Sequence, residues 1–322
     1  MFYDLPYKTK QFFFVLIKLS IVVGAGFFIY TKLVKNENLL FSNYISFLIE
    51  NDPFSPKNII FLIILTIFNW FFEIIKWQNL VKSIKKISLK EAFEQSLGGH
   101  TASLITPNRI GDYGAKAMYY SGGLKGKIIL LNLWGNISQM TVTTVLGIIG
   151  FYLFLQSYDV EINYYRLTRF VFIFLVIGTL SIFGITHKKF RIKGYGLRDI
   201  TSFLKRIPNT IHTTTFSLSI IRYAIFSYQF YFLLMIFGVE LGYFDAMIVI
   251  CSMYLLASII PTISFFDVVV KGSVAVFLFS FLGVNELTIL SITTTMWLLN
   301  FVIPSVFGSY FVLNFKLPNS EI

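Results

Sequence analysis

Two pairs of oppositely charged residues interrupt otherwise apolar stretches of this sequence. Asp112 and Lys116 follow the segment LITPNRIG, and Asp267 and Lys271 follow IIPTISFF. Residues four apart on a helix share a face and form ion pairs. A charge at membrane depth is costly and is usually paired or functional. Each pair is therefore a candidate substrate-binding site, with a purely structural ion pair as the alternative.

Arg109 adds a guanidinium to the first interruption. Its planar fork of N–H donors suits a phosphate or a carboxylate. Pro107 should end the preceding helix, and Gly111 permits a tight turn. Asp112 has three open roles, since it could orient Arg109, cap the following helix or pair with Lys116.

Other polar residues within apolar stretches have simpler interpretations. We expect His100 to be a satisfied structural histidine rather than a proton relay. Glu73 is expected to form a local surface pair with Lys76 at the cytoplasmic end of its helix. Lys18 and Arg222 are expected to extend along their helices to the cytoplasmic interface.

The composition excludes a cytosolic globular protein and a disordered one. Of 322 residues, 56% are hydrophobic and 13% are charged, whereas soluble domains have about 25% charged residues. The single cysteine, Cys251, allows no disulfide within the chain, and the three His show no ligand spacing. We therefore expect no metal and no cofactor. The net charge of +11 indicates basic loops beside anionic lipid rather than nucleic-acid binding.

The hydrophobic pattern predicts an all-α integral membrane protein, with residues 1–322 forming one polytopic domain. A membrane-spanning helix needs about 20 predominantly apolar residues. The first such stretch has no cleavage site after it, so we expect a retained signal anchor. Six stretches meet or approach the length required: 11–31, 58–77, 128–155, 169–186, 216–238 and 288–313.

Two further apolar regions, 92–120 and 245–283, are broken near their middle. Pro107 and Gly111 lie in the first break, where Gly98-Gly99 also permit close helix approach, and Pro261 lies in the second. Broken helices in the two halves of a membrane protein are typical of a transporter substrate site. Packing prolines in two kinked helices are the alternative.

Loop charges orient the chain. The loops 76–94 and 187–206 are rich in Lys and Arg, which indicates the cytoplasmic side. The spans alternate only if each broken region returns to its own side, the first from the cytoplasm and the second from outside. This topology has six full spans, two opposed re-entrant hairpins and both termini in the cytoplasm. Eight full spans are the alternative.

The two breaks resemble motifs of a known family. LITPNRIGD, followed by Lys116, resembles the T-P-G-R-I-G-E…R signature of the lysylphosphatidylglycerol synthase transmembrane-region family. IIPTISFFD is similar to that family's I-P-x-x-P-G-G-L-G-x-x-E element, although Ser264-Phe265-Phe266 replace Pro-Gly-Gly. The resemblance implies that Arg109, Asp112 and Lys116 form one substrate motif. Asp267 marks the other, where Lys271 falls near the usual Glu.

The resemblance also implies a function. It suggests a bacterial lipid flippase that moves an anionic or aminoacylated phospholipid across the cytoplasmic membrane. The chain ends at Ile322, soon after its last apolar stretch, and it shows no common catalytic motif. We therefore expect no aminoacyltransferase domain and no enzymatic activity.

Three other functions stay open at this point. One is a membrane subunit or enzyme that acts on a polyprenyl- or lipid-linked intermediate. The others are a structural membrane protein and a low-affinity ion or solute transporter, although the absence of dense intramembrane carboxylates argues against strong cation coupling. The expected partners are anionic membrane lipids. A homo-oligomer or a separate lipid-modifying enzyme is also open.

Overall fold

The computed structural model describes residues 46, 49, 53–104, 106, 109–159, 197–259 and 267–316. Regular structure in these residues is entirely helical, and the protein is a multi-pass membrane protein. Its helices are α1 (Pro56–Val81), α2 (Leu89–Ser103), α3 (Ile110–Met118), α4 (Leu124–Ser157), α5 (Leu197–Arg206), α6 (Asn209–Ile236), α7 (Tyr243–Ile259), α8 (Asp267–Ser280), α9 (Glu286–Trp297) and α10 (Ile303–Asn314).

Four apolar helices of the described chain are long enough to cross a membrane. They are α1, α4, α6 and the continuous rod of α9 and α10, Glu286–Asn314. These confirm the predicted spans at 58–77, 128–155, 216–238 and 288–313. The other two predicted spans, 11–31 and 169–186, lie outside the described residues.

The first broken region is a helical hairpin. It consists of α2 with 15 residues and α3 with 9 residues, which pack against each other. At 1.5 Å per residue, these helices are about 22 and 13 Å long, shorter than the ~30 Å hydrocarbon core. In the second region, α7 and α8 also pack together, but the connection 260–266, including Pro261, lies outside the described residues. The sidedness of the two hairpins stays a prediction.

Local sequence fixes where α1 and α2 begin. Ser55 accepts a hydrogen bond from Asn58 N, and Pro56 occupies the first turn of α1, where its missing N–H is not needed. Ser88 and Glu91 form a capping box at α2. Hydrogen bonds from Ser88 lower the pKa of the Glu91 carboxyl. These caps hold the ends of the helices that carry the polar residues of the protein interior.

A π-helical turn, Leu298–Val302, separates α9 from α10. Pro304 has no N–H to donate to the carbonyl of Asn300, four residues earlier. The indole N–H of Trp70 donates to that carbonyl instead, at 3.3 Å. The neighbouring carbonyl of Phe301 lies 3.2 Å from His100 Nε2. The turn therefore binds both α1 and α2 through its backbone.

Two hydrophobic clusters lie at different levels of the long helices. One includes Leu62 of α1, Phe154 of α4 and Phe230 of α6. The other includes Trp77 of α1 and Leu131 of α4. Polar side chains occupy α1, α4 and α6 between these levels. The polar region is therefore at mid-length of three long helices, with an apolar core on either side.

Candidate functional site

A cavity of about 370 Å³ lies between the two hydrophobic clusters. Arg222, at the centre of the 28-residue helix α6, is one of its lining residues. If α6 crosses the membrane, the cavity is therefore near the bilayer midplane. Six of the residues predicted from the sequence line it together: Glu73, His100, Arg109, Asp112, Lys116 and Lys271.

The remaining predicted site residues have different positions. Pro107 and Pro261 lie outside the described residues. Asp267 begins α8, but its side chain is outside the described part, so its pairing with Lys271 stays a prediction. Gly111 is in the first turn of α3, next to the cavity rather than lining it.

Arg109 has a left-handed backbone, with φ of 58°, at the residue before α3. It is the one residue other than glycine with positive φ in the described chain. This conformation is unfavourable for a residue with a Cβ atom and is concentrated at functional sites. Among the described residues of the break, the left-handed one is thus Arg109 and not Gly111, for which a tight turn was expected.

His100 holds the guanidinium of Arg109 in place. Arg109 Nη2 lies 3.1 Å from His100 Nδ1, and an Arg can only donate, so Nδ1 accepts. The imidazole proton is then on Nε2, which donates to the carbonyl of Phe301. Both ring nitrogens therefore have hydrogen-bond partners, as expected of a satisfied histidine, and this pattern requires a neutral ring.

Asp112 and Lys116 form the predicted i,i+4 ion pair, with 3.2 Å between Lys116 Nζ and Asp112 Oδ2. Asn132 of α4 joins both, because it accepts from Lys116 at 3.0 Å and donates to Asp112 at 2.8 Å. Lys116 Nζ also lies 4.5 Å from the centre of the Trp77 ring. Among its three open roles, Asp112 therefore has that of ion-pair partner, while the N-cap position of α3 is Arg109.

Two glycines let the hairpin close around this pair. A Cβ atom on Gly99 would collide with the Asp112 carboxylate, and one on Gly111 would collide with the carbonyl of Ala102. The predicted close approach at Gly98-Gly99 is confirmed. Gly111 is required for the contact between α3 and α2 rather than for a turn.

Glu73 lies in a buried charge network. The expected surface position of the Glu73–Lys76 pair was wrong, and so was the expected orientation of Arg222. Its carboxylate contacts both Lys76, at 2.8 Å, and Arg222. Lys76 is only 2% exposed, so this is no surface pair. Arg222 turns inward instead of reaching the interface, and it also donates to Gln139 Oε1 and to the carbonyl of Asn69.

A buried amide network adjoins the cavity, which its members Asn69 and Asn300 line. Asn300 of the π-helical turn accepts from Asn69 and donates to Gln229, at 2.9 Å each. Gln229 in turn donates to Thr66 Oγ1 at 2.9 Å. Because buried amides are costly when unpaired, these bonds fix α1, α6 and the π-helical turn relative to one another.

The two broken regions meet at one aromatic ring. The guanidinium carbon of Arg109 lies 5.9 Å from the centre of the Phe301 ring, and Lys271 Nζ lies 5.4 Å from it. Cations within about 6 Å of an aromatic centroid are attracted to its face. One cation from each hairpin therefore lies near the Phe301 ring.

The charge of the described lining is strongly positive. It includes two carboxylates, those of Glu73 and Asp112, and five cationic side chains, which are named at the end of this paragraph. Both carboxylates are already paired with lysines or with arginine. The site can therefore bind an anion through charge-assisted N–H donors. The five cations are Lys76, Arg109, Lys116, Arg222 and Lys271.

The family model described as "Lysylphosphatidylglycerol synthase TM region" matches residues 15–308. This range contains the whole described cavity. Among curated proteins, none matches the chain.

Proposed function

We propose, on the basis that this chain belongs to the lysylphosphatidylglycerol synthase transmembrane-region family, that it moves phospholipids between the leaflets of the cytoplasmic membrane. Membership of the family supports a membrane role related to lipids. The observation that carries the proposal is the cation-lined cavity at mid-length of α1, α4 and α6. A charged group at this depth is expensive, so it is usually paired or functional.

Arg109 is the proposed headgroup ligand. It is exposed, and a guanidinium has five N–H donors, whereas His100 is its one hydrogen-bond partner in the described chain. The other donors suit two oxygens of a phosphate. The bond to His100 limits the positions that the guanidinium can take, which lowers the entropy lost when a phosphate binds.

The acyl chains would stay in the lipid. A cavity of about 370 Å³ is at the small end of ligand pockets, which suits a headgroup and not its two tails. Met140 and Ser258 both line the cavity and are exposed. Gly147 is beside Leu255 and Gly150 is beside Cys251, so α4 and α7 run antiparallel. Met140 and Ser258 are therefore at the same end of this helix pair, where they mark one lateral opening.

Alternating exposure of the site would come from the two hairpins. Each hairpin supplies a cation near Phe301, and transporters with paired broken helices alternate access around a fixed central site. In this proposal, α2 and α3 open the cavity to one leaflet, whereas α7 and α8 open it to the other. Both termini are in the cytoplasm in the same proposal.

The test is lipid movement in proteoliposomes that contain the purified protein and a trace of acyl-labelled phosphatidylglycerol. We expect Arg109→Gly to slow movement by at least about tenfold, which corresponds to 1.4 kcal/mol. Glycine accepts the left-handed backbone, so loss of folding would not explain the result. Arg206→Gln, an exposed position on α5, is the control. Movement at the wild-type rate in Arg109→Gly would refute the proposal.

A further inference from the structure

We infer that Ser96, Lys76 and Asn136 form a second subsite of the cavity, which binds the hydroxyl oxygens of a glycerol headgroup while Arg109 binds its phosphate. This inference rests on the proposed lipid translocation and adds the residues that recognise the headgroup beyond its phosphate. The three side chains all line the cavity, and they come from α2, α1 and α4 respectively.

Ser96 supplies the observation that points to a ligand. This residue lines the cavity and is only 3% exposed, and its Oγ has no hydrogen-bond partner in the described chain. By contrast, Ser103 on the same helix donates to the carbonyl of His100. A buried hydroxyl without a partner costs free energy, and most buried hydroxyls have one. The Ser96 hydroxyl can both donate and accept, so it suits a ligand that has hydroxyl groups of its own.

Lys76 lies at the level of Ser96 in the antiparallel pair of α1 and α2. Lys76 and Ser96 fall between two contacts that set the register of this pair. These contacts are a hydrogen bond from Trp77 to Gln95 and the packing of the Trp70 ring on His100, with ring centres 4.8 Å apart. A lysine ammonium has three N–H donors, and in the described chain Glu73 is the one carboxylate paired with Lys76. The ammonium can therefore also donate to a headgroup oxygen.

Asn136 adds a hydrogen-bond acceptor from α4. It follows Gly135, where an added Cβ atom would lie 4.0 Å from Lys76 Cε, so it is near the Lys76 side chain. Its amide nitrogen donates to the Tyr113 hydroxyl at 2.8 Å, which leaves Oδ1 without a partner in the described part of the chain. The subsite therefore offers donors and an acceptor together, as the binding of a hydroxyl group requires.

The subsite lies one helical turn from the proposed phosphate ligand. His100, which holds Arg109, is four residues after Ser96, and this separation is about 6 Å along α2. A glycerol group attached to the phosphate can extend over this distance. An aminoacyl ester of that glycerol keeps one hydroxyl and adds a carbonyl acceptor, so the subsite also suits an esterified headgroup.

The experiment compares phosphatidylglycerol with phosphatidylmethanol, both labelled on the same acyl chain, in proteoliposomes of the full chain. The two headgroups carry the same phosphodiester charge, but only the first has hydroxyls. We expect phosphatidylglycerol to move at least about fivefold faster, a difference that two neutral hydrogen bonds can supply. Ser96→Ala and Asn136→Ala should each reduce this ratio toward one. The matched control is Ser138→Ala, whose buried hydroxyl lies outside the lining and donates to the carbonyl of Trp134, and it should preserve the ratio.

Thermal unfolding separates this role from a structural one. Removing a buried hydroxyl that has no protein partner should leave the thermal midpoint of Ser96→Ala unchanged or raise it. If Ser96 instead binds only a structural water, Ser96→Ala should lower the midpoint and slow both lipids equally, which would refute the subsite.

The wild-type rates distinguish failure of the subsite from failure of the proposed function. If the wild-type protein moves both lipids at the same rate, translocation stands and the hydroxyl subsite is wrong. If it moves neither lipid faster than protein-free vesicles do, the proposed function fails, and this inference fails with it.

Discussion

Replacing Glu73 by Gln should destabilise the protein more than any loss of a surface charge. The carboxylate contacts Lys76 and Arg222, and the side chains of these three residues are 17%, 3% and 18% exposed respectively. Removing one partner of a buried pair costs about 3–5 kcal/mol, because the other charge is left without a counter-charge. The network borders a polar cavity, so we expect the lower end, about 3 kcal/mol.

The measurement is a double-mutant cycle by reversible denaturation in mixed micelles. It compares Glu73→Gln, Arg222→Gln and the double variant with the wild-type protein. The double variant removes both charges of one contact, so it should be at least about 1 kcal/mol more stable than the sum of the single effects implies. Glu240→Gln, at an exposed position, should change the free energy of unfolding by less than about 0.5 kcal/mol.

Additivity would refute this reasoning. If the double variant equals the sum of the two single variants within about 0.5 kcal/mol, Glu73 and Arg222 do not interact in the folded protein. The inward orientation of Arg222 would then be wrong. The positive charge assigned to the cavity would fall with it.

Three further predictions concern the hairpins. Gly99→Ala should destabilise the protein by about 1–3 kcal/mol, because the added Cβ atom would collide with the Asp112 carboxylate. The control is Gly114→Ala, where an added Cβ atom would have no neighbour within 4 Å, and it should leave the thermal midpoint unchanged or raise it. The pKa of Glu91 is lowered in the folded protein, so its contribution to stability is present above the unfolded pKa and is lost as the pH falls through the folded pKa. The protection factors for hydrogen exchange at the start of α2, which are corrected for the intrinsic pH dependence of exchange, should therefore fall in acid, and Glu91→Gln should remove that fall. Single cysteines at positions 109 and 265, in a cysteine-free background, should be labelled from opposite sides of the membrane; labelling from one side would contradict the opposed hairpins.

Local spacing made part of this site predictable. Asp112 and Lys116 are one helical turn apart, so their pairing needs only a helix to follow the break. The four described spans were likewise visible as long apolar stretches. The positions of Gly98 and Gly99 before the break also indicated close packing, since small residues allow membrane helices to approach.

Long-range contacts were not predictable in the same way. Arg222 and Glu73 are 149 residues apart, and Asn69 and Asn300 are 231 apart. Helix α6 has little amphipathic bias, so its sequence does not show which face turns inward. The sequence does indicate a free carbonyl at Asn300, because Pro304 has no N–H to donate to it. That Trp70 donates to this carbonyl is seen only in the packed structure.

The most direct test of lipid passage through the cavity is to block it chemically. Thr143 lines the cavity, whereas Thr141 on the same helix is exposed and outside the lining. Each is replaced by Cys in a Cys251→Ser background and treated in proteoliposomes with a bulky reagent that forms a disulfide with the thiol. We predict that modification at 143 slows phosphatidylglycerol movement by at least about tenfold, that reduction restores it, and that modification at 141 has no effect. Equal rates after modification at the two positions would contradict a route through the cavity.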